Sequence, residues 1–271
     1  MSRLLLFSIV LVVLLFGKAK ADIIIIDGKT FNLNSDSPLN QYPFVKNIKE
    51  KLISYRTKAY DDPCSDYNAE WIIFNNALYL SNIYSCNDWD RKYKTDLELL
   101  FKNDPVVQIK DGKVRATWFK GNIWVAKSEP IFSNSIWTTP TVYKAETRFT
   151  ILNGIIINKK DFVYPPQNAP FGNDDSDARS KFITERINWA KIHDLKNASI
   201  RVVISFESGS TGKPEKVGLF KPVEDKILGD EAIRVISLMP WNAYYRHGEI
   251  LKQPAIISVL FNEELRKKYS H

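Results

Sequence analysis

Two kinds of hydrophobic pattern run along the chain. Up to about residue 163, runs rich in Ile, Val, Tyr, Trp and Phe are separated by Asp27-Gly28, Asn75-Asn76, Asp111-Gly112 and Asn153-Gly154. These dipeptides accept the positive φ that tight hairpin turns require, so the region is predicted to be built from β-hairpins. One helix is predicted to interrupt it over about 43–55, where Phe44, Ile48, Leu52 and Ile53 recur at helical spacing. In "VRATWFKGNIWV", residues 114–125, alternation sets Val114, Ala116 and Trp118 on one strand face. Core packing is the reading large aromatics favour there, with an exposed sugar-binding platform as the alternative.

From Asp177 the period changes. Phe182, Ile183, Ile187 and Trp189-Ala190 fit one helical stripe ending near His193, and Ile200, Val202, Ile204 and Phe206 then alternate as in a strand. The turn in "ESGSTGKPEK" leads to a second strand at 215–223, and Leu228, Ala232, Ile236 and Met239 mark a second helix. Pro240 ends that helix, and an extended run at 253–261 supplies a third strand. Between the two patterns lies "VYPPQNAPFGNDDSDA", residues 163–178, whose prolines and polar residues read as a linker. The predicted class is α+β: a β-rich domain at 22–165, a linker at 166–177 and a small domain at 178–264, with a tail at 265–271.

The N-terminus sets the compartment. Arg3 precedes an apolar run from Leu4 to Phe16, and Ala19-Lys20-Ala21 forms a small-x-small cleavage pattern, which predicts a signal peptide at 1–21. A secreted or periplasmic location follows, with an uncleaved inner-membrane anchor as the alternative. Without residues 1–21 the chain carries 35 basic and 31 acidic residues, a mild +4 with no clustering, so nucleic acid is not predicted as a partner. In an oxidising compartment the two cysteines, Cys64 and Cys86, are predicted to form a disulfide.

Several chemical motifs fail on inspection. Glu207 and Pro214 break the P-loop pattern around Gly212-Lys213. Asn173, Asp175 and Asp177 are spaced as in a calcium loop, but Ala178 and Thr184 replace its Gly and Glu, so helix capping by Asp177 is the better account. His193, His247 and His271 are isolated. No catalytic, metal or cofactor site is predicted.

The order helix, strand, strand, helix, strand, with Asp230-Glu231-Ala232 opening the second helix and Met239-Pro240-Trp241 closing it, together with Glu231-Ala232-Ile233-Arg234-Val235 and Pro254-Ala255-Ile256 leading to Phe261, resembles the C-terminal domain of TonB and its bacterial relatives. The likeness covers about 178–264. "VRATWFKGNIWV" in turn resembles a core motif of uncharacterised bacterial β-rich domains, which implies no activity. In the TonB-like region, Trp241 is adjacent to Pro240 and "NAYYRHGEILK" replaces the family's Pro-Gly and Asn-Gly-Lys turns. The resemblance implies a three-stranded antiparallel sheet with helices on one face. Its last strand, Ala255, Ile256, Ile257, Ser258, Val259, Leu260 and Phe261, would dock an extended peptide of an envelope protein such as a TonB-dependent outer-membrane transporter, while Met239, Pro240 and Trp241 would serve the core. The alternative is an envelope enzyme or inhibitor with its site in the β-rich domain and the TonB-like domain as a docking module.

Overall fold

The computed structural model describes residues 22–60, 67–85, 88, 90–132, 141–165, 175–196 and 198–270. The predicted signal peptide, Cys64, Cys86 and most of the predicted linker lie outside the described residues. The fold is mixed α and β and rich in strands.

The first part contains β1 (Ile23–Ile26), β2 (Lys29–Asn32), α1 (Val45–Tyr60), β3 (Tyr67–Phe74), β4 (Ala77–Ser85), α2 (Leu97–Leu100), β5 (Ile109–Lys110), β6 (Lys113–Arg115) and β7 (Lys120–Ala126). It continues with β8 (Pro130–Phe132), β9 (Val142–Tyr143), β10 (Ala145–Leu152) and β11 (Ile155–Val163). All four turn dipeptides lie at hairpin turns, β1–β2, β3–β4, β5–β6 and β10–β11, and both central residues of each have positive φ, between 46° and 74°. That is the backbone of a type I′ turn, whose twist matches the paired strands. Gly154 is needed for a second reason, because a Cβ there would sit 2.8 Å from the Ala116 carbonyl oxygen.

Among the described residues nine strands share one sheet, in the order β2-β1-β3-β4-β11-β10-β7 with β6 and β5 branching from β4. The β1–β3 pair is parallel. Leu33, just beyond β2, bridges Val125 of β7, so the two ends of the strand order are joined. Ile24, Trp71, Leu78, Leu80 and Ile123 fill the interior, and α1 covers it with Ile48 and Leu52, whereas Phe44 stays exposed. The strand expected through Val114, Ala116 and Trp118 breaks after Arg115, where Phe119 N–H turns back to the Ala116 carbonyl. Trp118 packs edge-on against Tyr42 and donates its indole N–H to the Pro38 carbonyl, which favours the core reading.

The remaining elements are α3 (Ser176–Arg186), β12 (Ser199–Ser208), β13 (Pro214–Leu219), α4 (Lys226–Leu238), β14 (Tyr244–Arg246), β15 (Glu249–Leu251), β16 (Pro254–Asn262) and α5 (Glu263–Tyr269). The sheet order is β13-β12-β16, antiparallel throughout. Val202, Ile204 and Phe206 of β12 and Val259 and Phe261 of β16 share one buried cluster with Ile183 of α3 and Leu228, Ala232, Val235 and Ile236 of α4. Apolar residues at every second strand position thus meet apolar residues at every third or fourth helix position.

Three local expectations are corrected. Asp175, not Asp177, caps α3, accepting the Ala178 N–H. That helix stops at Arg186 rather than near His193. The reason lies in α4: Glu231 accepts the Asn188 N–H at 2.6 Å, and Arg234 donates to the Arg186 carbonyl at 2.6 Å, which holds the chain extended before a short turn at Trp189–Lys191. The second helix opens before the Asp230-Glu231-Ala232 run, at Lys226, capped by Asp225.

The chain divides into two compact units, and the division runs across β10 and β11. The second unit takes in β8, β9, residues 145–148 of β10, residues 160–163 of β11 and everything from α3 onward. Part of the stretch assigned above to the first domain therefore belongs with the C-terminal elements.

Candidate functional site

The two edges of the three-stranded sheet are built differently. β13 carries Pro214, the positive-φ residue Lys216 and Gly218, and its register against β12 shifts between Ser205 and Glu207. Lysine and an irregular register are devices that keep an edge from recruiting another strand, whereas an opening proline is common to both edges, Pro214 and Pro254. β16 runs in unbroken register with β12 from Pro254 to Asn262 and has no charged side chain. Among the described residues no strand pairs on its far side.

The direction of its free backbone groups follows from the pairing. Ser208 donates its N–H to the Gln253 carbonyl at 2.9 Å, which makes that pair the hydrogen-bonded kind. Such pairs alternate along an antiparallel ladder. Ala255, Ile257, Val259 and Phe261 therefore turn their N–H and C=O groups to β12, while Ile256, Ser258 and Leu260 turn theirs outward. Phe220 N–H bonding to the Val203 carbonyl at 2.8 Å agrees, because Val203, the partner of Ser258, then faces β13. All seven residues predicted to form the edge strand lie in β16, in two sets: four hold the ladder and core, and three hold the free edge.

Met239 and Trp241 are buried after α4, and Pro240 between them is half-buried. Met239 is fully buried at the end of α4, and the Trp241 ring packs edge-on against Phe206 at 4.9 Å. Trp241 N–H donates to the Gly212 carbonyl at 2.8 Å, tying the chain after Pro240 to the β12–β13 turn.

The "NAYYRHGEILK" segment forms the β14–β15 hairpin, and His247 and Gly248 have φ of 55° and 81°. Its turn signal was present but written with His in place of the usual Asn or Asp. Glu146, only 1% exposed, accepts the His247 N–H at 2.8 Å and the Tyr164 hydroxyl at 2.5 Å. The Tyr164 oxygen in turn accepts the Gly248 N–H at 2.8 Å, and its ring stacks on Tyr245 at 5.2 Å. Burial and the hydrogen bond to Glu146 push the Tyr164 hydroxyl well above the usual tyrosine range. Downstream, the buried Ser208 hydroxyl donates to the Leu251 carbonyl and accepts the Gln253 N–H, fixing where β16 begins.

A separate cleft of about 470 Å³ lies in the first unit, between Ile25, Glu70, Ile72 and Ser81 on one side and the 94–98 and 111–113 segments on the other. Two of its acidic side chains have structural partners: Glu70 accepts from the Ser81 and Tyr84 hydroxyls, and Asp96 caps α2. Burial and the Glu70 charge raise the Tyr84 hydroxyl to about 12. Among the described residues no three His, Cys, Asp or Glu side chains gather as a metal site, and no helix is long and apolar enough to cross a membrane.

No protein-family model matches the chain, and no curated protein or solved structure matches it.

Proposed function

We propose that this is a secreted or periplasmic binding protein with a TonB C-terminal-like domain. In this reading it docks an extended segment of an envelope protein, such as a TonB-dependent outer-membrane transporter, by strand addition along β16, and it is a binding protein rather than an enzyme. The single observation that carries the reading is the contrast between the two sheet edges, one irregular and one regular with Ile256, Ser258 and Leu260 turned outward. Strand addition uses such a row of backbone groups and needs little from the side chains. The element order from α3 to β16, and the burial of Met239 and Trp241 behind the sheet, support the TonB-like assignment.

Those three residues offer six backbone groups. At about 1 kcal/mol net each, their bonds roughly offset the cost of ordering a short peptide, so binding is weak and reversible. The test is calorimetry with a capped peptide of alternating valine and threonine. Ser258→Pro removes an outward donor and should abolish binding, while Ser258→Thr keeps it and should leave affinity nearly unchanged. A peptide N-methylated at alternate positions applies the same test without altering the protein. Equal binding by folded wild-type and Ser258→Pro proteins would exclude β16 as the docking edge. Recovery of an outer-membrane transporter from a native envelope fraction, lost in Ser258→Pro, would support the named partner.

A further inference from the structure

A backbone edge accepts many strands, and the side chains beside it decide which is preferred. We infer that the strand recruited by β16 carries an acidic side chain next to Leu260, with apolar side chains next to Ile256 and Ser258 on the same face, so that its carboxylate meets Arg201. This rests on β16 being the docking edge.

In the β12–β16 register Arg201 lies opposite Leu260, Val203 opposite Ser258 and Ser205 opposite Ile256. Even-numbered residues of β12 and odd-numbered residues of β16 point into the core, so these six side chains share the other face of the sheet. Arg201 is exposed, and among the described residues no hydrogen bond or ion pair reaches its guanidinium. At the opposite end of the same face the charges are matched, with Lys216 3.0 Å from Glu207. The face thus presents an unmatched cation at its Leu260 end and an apolar surface beside it, where Ile256 is 55% exposed.

The reach is adequate. Neighbouring strands lie about 4.8 Å apart, so a strand added beyond β16 runs about 10 Å from β12. An extended arginine and a glutamate together span that gap across Leu260. A basic residue at the same position would meet Arg201 with like charge, so the preference has a defined sign.

The probes are capped peptides containing Val-Thr-Val-Thr-Glu, the reversed order Glu-Thr-Val-Thr-Val, and the same pair with lysine for glutamate. The reversed order covers both strand directions. In low salt the wild-type protein should bind one glutamate peptide about two- to five-fold more tightly than its lysine counterpart, the range of an exposed ion pair. Arg201→Glu should reverse the order, and salt should shrink the difference. If glutamate and lysine peptides bind equally while Ser258→Pro abolishes both, the Arg201 inference falls and the docking edge stands. If Ser258→Pro leaves all binding intact, or no peptide binds at millimolar concentration, the docking reading itself falls. Self-association through β16, detected by sedimentation and removed by Ser258→Pro, would replace the peptide by a second copy of the chain and overturn the inference.

Discussion

Replacing Tyr164 by phenylalanine tests whether the β10–β11 strands hold the hairpin that leads into β16. The ring and its stacking on Tyr245 are retained, and only the hydroxyl that joins Glu146 to Gly248 is lost. Glu146 is 1% exposed and keeps its bond from His247, but it loses a charge-assisted donor at 2.5 Å. A hydrogen bond to a charged group contributes about 1.5–3 kcal/mol, and the exposed Gly248 N–H adds little because water replaces its partner. The expected loss is therefore about 2 kcal/mol. In urea this should appear as a fall of about 1 M in the midpoint of the transition that includes the second unit, with the slope unchanged. Hydrogen exchange at His247 and Gly248 should accelerate in parallel. A chain beginning at Ser176 lacks both Glu146 and Tyr164 and should show the same loosened hairpin even where its three-stranded sheet survives. A destabilisation below about 0.5 kcal/mol with unchanged exchange at His247 and Gly248 would refute the clasp.

Three further outcomes are expected. A disulfide between Cys64 and Cys86, both outside the described residues, is the expectation from their being the two cysteines of a chain with a predicted signal peptide. Intact mass with and without reduction should differ by two hydrogens, and reduction should cost about 3 kcal/mol. For Glu231, burial pushes the carboxyl up, but the Arg234 hydrogen bonds, the Asn188 N–H and the Arg234 charge outweigh it and hold the group below its ordinary value of 4.5. Its contribution is present above pH 4.5 and is lost as pH falls through the lowered native value, so Glu231→Gln should lower stability at pH 7 and flatten the acid limb of a thermal-stability profile. Trp241→Ala should cost about 3–5 kcal/mol by opening a cavity against Phe206, measurable by chemical denaturation.

What the sequence determined by itself was local. Asp27-Gly28, Asn75-Asn76, Asp111-Gly112 and Asn153-Gly154 specify their turns because positive φ at two successive residues is a property of the backbone and its nearest side chains. The apolar stripe of α4 and its end before Pro240 are legible for the same reason. The tertiary structure decided the rest, where partners lie far apart in sequence. The parallel β1–β3 pair, the Leu33–Val125 bridge, and the grip of Glu231 and Arg234 that ends α3 early depend on residues brought together only by folding. Glu146 and His247 stand 101 positions apart, and no local pattern joins a buried carboxylate to a distant turn. Strand β16 shows the division within one element. The sequence marks Pro254–Phe261 as an extended apolar run, but which side chains face the core and which backbone groups face outward depend on its pairing with β12, and that pairing exists only in the folded chain.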